Sequence, residues 1–323
     1  MKIVVLDRKS LGLDVSIDPL NQYGEVTAYM TTKNEEVPGR VKDADVVVVN
    51  KNLMNAAALD GAENVKLICE TATGFDNIDL NYCRERGITA CNVVNYSTAA
   101  VVQHTFASAL YVLEKLNYYD NYVKGGTYQS QPSFTHFEET YYELEGKTWG
   151  IIGMGNIGKK VAAVAKAFGF RVISYSARSA VAAVGESNDL FERVDFETLL
   201  KESDILSLHC PLTDTTRGII NKEALSQMKK SAVLVNMARG PVVNEEDLAW
   251  ALENDVIRGA ATDVMSKEPI LPENPLNRIK DSRKLLITPH MAWASVEART
   301  RVVMETCKNI EAFAKGEPRN VVS

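Results

Sequence analysis

Short runs rich in Val and Ile alternate with polar stretches along the chain, and this alternation restricts the fold more than any other feature. Short apolar runs bounded by polar residues are typical of buried strands, and the stretches between them have the composition of helices. Such βα units predict an α/β protein with parallel sheets covered by helices. The predicted strands are residues 3–7, 45–49, 66–69, 87–90, 147–152, 171–175, 205–208, 233–235, 257–262 and 285–287.

The strands form two series separated by a helix and an irregular segment. Apolar residues between 97 and 116 recur at the i, i+3, i+4 spacing of an amphipathic helix. Residues 117–146 contain paired glycines and a proline and predict an extended arm or loop, whereas residues 295–315 predict a last long helix. We therefore predict two doubly wound domains, with the active site in the cleft between them. The domain bounds are 1–98 with 292–323, and 99–291.

Charge and hydropathy argue against several classes of function. The 323 residues include 36 basic and 42 acidic side chains, a net charge of −6, so no overall positive field attracts nucleic acid or anionic lipid. No apolar run approaches the roughly 18 to 20 residues that span a bilayer, and residues 2–7 look like a strand rather than an export signal. We expect a cytoplasmic protein that binds neither nucleic acid nor membrane.

Cysteine and histidine spacing argues against disulfide or metal chemistry. The five cysteines include no C-x-x-C pair, and the four histidines include no H-x-x-x-H pair. We expect reduced, mostly buried thiols and no metal site.

A glycine-rich loop stands where a dinucleotide-binding fold requires one. Residues 147–152 predict a buried strand, which leads into Gly153-Met-Gly155-Asn156-Ile157-Gly158 and then into a helix. The first glycine allows a tight turn, the second allows close approach of a pyrophosphate, and the third packs the helix on the strand. The positive end of the helix dipole favours phosphate at this position. The loop predicts a Rossmann dinucleotide-binding domain.

The residues after the next strand bear on the choice of cofactor. An NAD enzyme commonly has Asp or Glu there to bind the ribose hydroxyls, but this chain has Ser176, followed by Arg178 and Ser179. A small polar residue and an arginine suit the 2′-phosphate of NADP, which we favour over NAD. The alternative is that Arg178 points into solvent and NAD binds through other contacts.

Three later predicted strands are each followed by polar residues. Ligands of open α/β sheets bind at the carboxyl ends of strands, so residues that follow neighbouring strands face one crevice. Arg239 and His290 are therefore candidates for chemistry, and His209 is a candidate for a place beside the cofactor. The other candidate cofactor contacts here are Pro211, Thr216, Met237 and Ala238.

Several separated motifs occur in order along the chain. They are the Gly153 to Gly158 loop, His209-Cys-Pro-Leu-Thr, Asn236-Met-Ala-Arg239-Gly, Asp263-Val with Glu268-Pro, and Thr288-Pro-His290. Together they resemble the D-isomer-specific 2-hydroxyacid dehydrogenases, over essentially the whole chain. Residues 71–79 and 95–105 also resemble that family's substrate loop and inter-domain helix. Ser176 departs from the acidic residue that many members carry, so NAD and NADP both stay open.

The resemblance implies a catalytic trio of Arg239, Glu268 and His290. An always protonated guanidinium at Arg239 would anchor the carboxylate of a 2-keto acid and polarise its carbonyl. His290 would donate a proton to the growing alkoxide while hydride arrives from nicotinamide. Glu268 would favour the charged imidazole of His290 and hold one tautomer.

The resemblance also implies further contacts, each of which could instead be simple turn chemistry. The backbone amides of Thr73 and Gly74 would bind the substrate carboxylate, and Asp263 would accept a hydrogen bond from the nicotinamide carboxamide. Lys51 and Trp293 look like residues of the branch that reduces hydroxypyruvate and glyoxylate. For His104 and His136 we favour packing or solvent-facing roles.

The substrate is open at this point. We favour reduction of a small polar 2-keto acid, hydroxypyruvate or glyoxylate, to D-glycerate or glycolate. The alternative within the class is D-lactate or a branched D-2-hydroxy acid, because Phe75, Tyr96 and Trp293 would form an apolar pocket. An alternative of another class is a dinucleotide-sensing corepressor. The resemblance further implies a homodimer built around the cofactor domain, with residues 117–146 as an exchanging arm.

Overall fold

The computed structural model describes residues 1–176 and 188–323, and the chain divides into two compact units. The first unit consists of Met1–Ser97 and Ala294–Ser323, and the second of Thr98–Trp293. The divisions lie one and two residues away from the bounds predicted above, so that Trp293 belongs to the second unit.

Both units are built from parallel strands connected by helices. The strands are β1 (Lys2–Val5), β2 (Glu25–Ala28), β3 (Val46–Val49), β4 (Leu67–Glu70), β5 (Thr89–Cys91), β6 (Thr148–Ile152), β7 (Arg171–Tyr175), β8 (Glu192–Arg193), β9 (Ile205–Leu208), β10 (Val233–Asn236), β11 (Gly259–Thr262) and β12 (Leu285–Ile287). The α-helices are α1 (Val37–Val41), α2 (Leu80–Glu85), α3 (Thr98–Leu113), α4 (Leu116–Lys124), α5 (Thr127–Ser130), α6 (Asn156–Ala167), α7 (Phe196–Glu202), α8 (Lys222–Gln227), α9 (Glu245–Glu253) and α10 (Val296–Ala314). Short 3-10 helices lie at Arg8–Leu11, Asp18–Gln22, Asn34–Glu36, Gly240–Val242 and Pro275–Arg278. Of the helices in residues 1–176 and 188–323, none is both long enough and apolar enough to cross a bilayer.

The first unit contains a five-stranded sheet in the order β2-β1-β3-β4-β5. Its strands are parallel, and β3 is buried over its whole length because all four of its residues are valine. The edge strand β2 was not predicted, since its side chains are mostly exposed and give no apolar run. An edge strand pairs with a neighbour on one side only and can leave its side chains exposed. Its sequence therefore lacks the apolar run by which buried strands are predicted.

The second unit contains a seven-stranded sheet in the order β12-β11-β10-β9-β6-β7-β8. Neighbouring residues of its central strands enter different apolar clusters: Leu234 belongs to one, and Val233 and Val235 belong to the other. Because successive side chains of a strand point to opposite faces, both faces of the sheet are buried. The prediction of two parallel α/β sheets is confirmed.

The segment 117–146 differs from the prediction of an extended arm or loop, because it begins with helices α4 and α5. Tertiary contacts explain the difference. Tyr118 Oη lies 2.6 Å from His136 Nε2, and the hydroxyl of Tyr122 donates to Gln131 Oε1 at 2.6 Å. The rings of Tyr122 and His136 stack with their centroids 3.8 Å apart. The helical residues are therefore held by side chains 9 to 18 positions further along the same segment, which local composition does not reveal.

Substituting Gly158 tests the packing of α6 on the turn that precedes it. A Cβ atom at Gly158 would lie 2.1 Å from the backbone oxygen of Gly153. We therefore expect Gly158→Ala to destabilise the protein by about 1 to 3 kcal/mol, because backbone must shift to admit the methyl group. The measurement is the unfolding midpoint in urea and on heating.

Gly39→Ala is the matched control for this prediction. Gly39 lies exposed in α1, and a Cβ atom there would meet nothing within 4 Å. Alanine is a better helix former, so the control should be neutral or stabilising by up to about 1 kcal/mol. Equal midpoints for the two variants would contradict the close packing of α6.

Candidate active site

Three adjacent strands of the second unit bring most of the predicted site residues to one sheet edge. Parallel pairing sets Asn236 at the end of β10 opposite Thr262 at the end of β11, and Thr262 opposite Ile287 at the end of β12. Asp263 and Thr288 follow directly, and Arg239 and His290 each lie three residues beyond their strand. The carboxyl edge of an open sheet is where ligands of such folds bind.

His290 and Glu268 form a hydrogen-bonded pair at this edge. His290 Nδ1 lies 2.7 Å from Glu268 Oε2, and both side chains are about a quarter exposed, at 25% and 27%. An ionised carboxylate only accepts hydrogen bonds, so Nδ1 is the donor, and Nε2 is the ring atom at which a proton is exchanged. The other oxygen of Glu268 accepts the Met265 amide at 3.1 Å, which holds the carboxylate in place.

Arg239 lies at the end of a turn that Asn236 organises. The side chain of Asn236, which is 2% exposed, accepts a hydrogen bond from the Ala238 amide at 3.0 Å and donates to the Arg239 carbonyl at 3.1 Å. The guanidinium of Arg239 donates to the Ala238 carbonyl at 2.9 Å. The turn therefore fixes the backbone from which the guanidinium projects.

The Arg239 turn and the Glu268 loop are in direct backbone contact. A Cβ atom at Gly240 would lie 1.9 Å from the carbonyl carbon of Met265, so only glycine fits there without backbone movement. The Met265 amide in turn donates to Glu268, which binds His290. The three residues of the predicted catalytic trio therefore lie on segments joined by backbone contact and hydrogen bonds.

Asp263 is buried beneath the turn that carries His290. Its side chain is 2% exposed and accepts hydrogen bonds from the Thr288 hydroxyl at 2.6 Å and from the amides of Met291 and Ala292, each at 2.8 Å. The contact with a nicotinamide carboxamide stays a prediction, and within this structure the carboxylate organises residues 288–292.

The glycine loop has the geometry that a pyrophosphate requires. Gly153 has φ 100° and lies so close to His209 and Cys210 that a Cβ atom would be 2.6 Å from the Cys210 amide nitrogen. Gly155 is the N-cap of α6, and in the described part of the chain a Cβ atom at this position would meet nothing within 4 Å. Amides of the first helical turn lie at the positive end of the helix dipole, which attracts phosphate, so Gly153 to Gly158, including Asn156 and Ile157, fit a dinucleotide.

His209 adjoins this loop and has buried ring nitrogens. Neither nitrogen has a hydrogen-bond partner within residues 1–176 and 188–323. Burial lowers the pKa of His209 to about 3, so the ring is neutral at physiological pH. An unpartnered polar group beside the glycine loop fits the prediction of a place next to the cofactor. Burial also raises the pKa of the neighbouring Cys210 to about 11, which does not suit a nucleophile.

The remaining cofactor candidates have varied surroundings. Thr216 is 3% exposed, and its hydroxyl donates to the Pro211 carbonyl at 2.8 Å and accepts the Thr213 amide at 2.7 Å, so it forms a turn. Met237 and Ala238 are buried at the end of β10. Ser176 directly follows β7 and is half-buried, whereas Arg178 and Ser179 lie outside the described residues.

The substrate candidates are divided between the units. In the first unit Lys51 is exposed, Gly74 is half-buried, and Thr73 donates from its hydroxyl to the Val93 carbonyl at 3.0 Å. In the second unit Trp293 packs against the apolar cluster that contains Ala292. Their contacts with substrate stay predictions.

Two residues were underestimated from the sequence. For His104 a packing or solvent-facing role was expected, and in the structure its Nε2 lies 3.0 Å from the Thr288 hydroxyl and 3.8 Å from Asp263. Asn236 was predicted only as part of a motif and without a role of its own, yet its side chain shapes the Arg239 turn. A polar residue at the end of a buried strand is a signal that would have found Asn236. No local signal marks His104. In the described parts of the chain, no three His, Cys, Asp or Glu side chains are grouped as metal ligands.

Solved structures resemble the whole chain. A D-lactate dehydrogenase from Aquifex aeolicus, complexed with NAD and lactic acid, is 29% identical with a TM-score of 0.83, covering 98% of this chain and 96% of that chain. An acyclic imino acid reductase in complex with NADPH and D-Arg is also 29% identical, with a TM-score of 0.85 and full coverage of both chains.

Sequence comparison identifies the family. The profile of the D-isomer specific 2-hydroxyacid dehydrogenase NAD binding domain matches residues 106–292. A hydroxypyruvate reductase from Blautia hydrogenotrophica is 37% identical over 100% of both chains. A glycerate dehydrogenase from Methylorubrum extorquens is 37% identical over 99% of this chain and 98% of its own length. The chain therefore belongs to the D-isomer-specific 2-hydroxyacid dehydrogenase family, whose members are NAD(P)-dependent oxidoreductases.

Proposed function

We propose that this dehydrogenase reduces a small polar 2-keto acid, hydroxypyruvate or glyoxylate, to the corresponding 2-hydroxy acid. The observation that carries the proposal is the Glu268–His290 pair at the strand edge that also bears Arg239. A proton donor and an always charged guanidinium at one edge suit a substrate that has both a carbonyl and a carboxylate. Relatives that are 37% identical along their whole length and are named hydroxypyruvate reductase and glycerate dehydrogenase favour this substrate class.

His290 acts as the acid in this proposal. Reduced nicotinamide, when bound, supplies the hydride that adds to the carbonyl carbon. The carbonyl oxygen then gains negative charge and takes the proton from Nε2 of His290, while Nδ1 stays hydrogen-bonded to Glu268. Glu268 stabilises the imidazolium before the transfer and holds the ring so that Nε2 faces the substrate.

Arg239 binds and polarises the substrate. A guanidinium presents several donors in one plane, so it can contact the carboxylate and the carbonyl oxygen of one 2-keto acid. Its charge stabilises the negative oxygen that develops during hydride transfer. Asn236 acts through Arg239, since it fixes the turn on which the arginine stands. Lys51, Thr73 and Gly74 of the first unit are further proposed substrate contacts, and Thr73 and Gly74 would bind the carboxylate through their backbone amides.

The cofactor binds along the glycine loop in this proposal, with NADP favoured over NAD. Ser176 supports NADP because it offers a hydroxyl where a carboxylate would repel a 2′-phosphate, and Arg178 supports it by charge. Further proposed cofactor contacts follow the neighbouring strands at the carboxyl edge of the sheet. They are His209, Pro211, Thr216, Met237, Ala238 and Asp263. The five cysteines are all free and buried, which supports a location in the reducing cytoplasm.

The first test compares substrates and cofactors directly. Oxidation of NADPH and NADH is followed with hydroxypyruvate, glyoxylate, pyruvate and 2-ketoisocaproate. We expect kcat/KM for hydroxypyruvate or glyoxylate to exceed those for pyruvate and 2-ketoisocaproate at least about tenfold, because a site built for a polar group rejects an apolar one. NADPH should be preferred. Fastest turnover of 2-ketoisocaproate would overturn the substrate proposal, and preference for NADH would overturn the cofactor proposal.

The second test concerns the acid. His290→Gln removes the titrating group but keeps an amide of similar size, and we expect kcat to fall by about 10² to 10⁴. Glu268→Gln should lower kcat less, because the imidazole keeps a hydrogen-bond partner but loses the charge that stabilises the imidazolium. Glu273→Gln is the control, since Glu273 is an exposed carboxylate of the same loop. Wild-type kcat in His290→Gln would refute the assignment of the acid.

We also propose a homodimer formed through residues 117–146. Phe134 and Phe137 in this segment are 87% and 81% exposed, and Tyr141 and Tyr142 are more than half exposed. Four large aromatic side chains exposed within nine residues of sequence favour an interaction surface, and a second copy of the chain would bury them.

Light scattering during gel filtration tests the dimer. We expect twice the 35.6 kDa mass of one chain, and a shift toward the monomer when Phe134→Ser and Phe137→Ser are combined. Leu13→Ser is the control, because Leu13 is 65% exposed in the other unit. A monomeric wild-type protein, or a dimer that the double substitution leaves intact, would contradict this interface.

A further inference from the structure

The backbone at His290 is held in an unfavourable conformation. Its φ is 52°, in the left-handed region that residues with a side chain rarely adopt. Such a residue persists only where its surroundings overdetermine it, and such residues cluster at functional sites. The amide of His290 donates to the carbonyls of Asp263 at 2.8 Å and Thr288 at 3.0 Å, which fixes the entry to the turn.

The carboxylate of Asp263 fixes the exit from the turn. It accepts the amides of Met291 and Ala292, the two residues after His290, each at 2.8 Å. Successive amides after a left-handed residue form a concave anion site, and here a buried side chain fills it. Asp263 therefore binds the turn through its backbone before His290 and through its side chain after it.

Hydrogen counting assigns the tautomer of His104. The Thr288 hydroxyl has one hydrogen, and it donates that hydrogen to Asp263 at 2.6 Å, because a carboxylate accepts only. In its 3.0 Å contact with His104 Nε2, the hydroxyl must then be the acceptor. His104 consequently carries a hydrogen on Nε2 in both its neutral and its charged form.

The three side chains connect a helix to the turn. His104 lies on α3, which packs against β11 and β12, and its side chain is 19% exposed. Its Nε2 also lies 3.8 Å from Asp263 Oδ1, close to the buried carboxylate that the Thr288 hydroxyl contacts. The chain of donors therefore runs from His104 to Thr288 to Asp263, and Asp263 holds the backbone on both sides of His290.

We propose that His104 and Thr288 are positioning residues for the proton donor His290. The inference rests on the proposed function of His290 and adds to it the residues that keep Nε2 at the reacting oxygen. His104 orients the Thr288 hydroxyl, the hydroxyl orients the Asp263 carboxylate, and the carboxylate holds the turn. A displacement of about 1 Å at a reacting group costs up to about a hundredfold in rate, so loss of the donor should lower kcat without weakening substrate binding.

Paired substitutions separate this role from simple packing. His104→Leu and Thr288→Val keep similar volumes but remove the hydrogen-bonding groups, whereas His104→Gln and Thr288→Ser retain them. We expect kcat to fall by about tenfold or more in the first pair, with KM for the 2-keto acid changed less than about twofold, and to recover in the second pair. All rates are compared well below the measured unfolding midpoint of each variant. Equal kcat in His104→Leu and His104→Gln would overturn the proposal.

A spectroscopic test needs no turnover. The chain has four histidines, so nitrogen-15 labelling of histidine yields four ring systems, and His104→Gln identifies one of them. We expect neutral His104 to carry its hydrogen on Nε2, and we expect His104→Leu to shift the ring signals of His290 but not those of His136. A neutral His104 with its hydrogen on Nδ1, or unchanged His290 signals, would overturn the inference.

The two tests fail in different ways. If no 2-keto acid is reduced by the wild-type protein, the proposed function fails, but the tautomer and the response of His290 still decide whether the network exists. If the wild-type protein is active and the substitutions leave kcat unchanged, the positioning role of His104 and Thr288 is refuted and the proposed function stands.

Discussion

Parallel pairing of β10, β11 and β12 is the constraint on which the candidate site depends. In-register pairing aligns their last residues, so that the loops after them leave the sheet at one edge. Arg239, Glu268 and His290 are widely separated in sequence, and each comes from a different loop of this edge. Parallel strands require crossover connections, and here α9 provides the connection between β10 and β11. The chemistry of the site is therefore a product of sheet topology.

Close backbone packing then sets where each loop lies. Gly153 contacts the backbone of His209 and Cys210, Gly158 contacts Gly153, and Gly240 contacts Met265. In each case a single methyl group would occupy the space of another backbone atom. Glycine at these positions allows the glycine loop to approach the next strand and allows the Arg239 turn to touch the Glu268 loop. Packing density at the backbone level thus determines the distances between polar groups.

Buried polar groups complete the arrangement. Asn236 and Asp263 are almost completely buried, and each forms hydrogen bonds with the backbone of the adjacent turn. A buried polar group without partners would cost free energy, so these bonds hold the turns in one conformation. The free energy gained from these hydrogen bonds offsets the free-energy cost of the left-handed backbone conformation at His290. The catalytic side chains themselves stay partly exposed, as contact with a substrate requires.

The amino-acid sequence by itself determined the two parallel sheets, the glycine loop and the order of the motifs. These predictions rest on local patterns: runs of Val and Ile, the spacing of glycines, and polar residues that follow strands. Local patterns can be recognised without knowing which residues meet in the folded chain. The edge strand β2 and the helix α4 were missed because contacts outside the elements themselves hold them, as the stacking of Tyr122 on His136 shows for α4. The link from His104 to Thr288 spans 184 positions of sequence, and only the packing of α3 against β12 brings the two side chains together. Tertiary structure alone decided which polar residues became partners, because a hydrogen bond depends on distance and direction in space.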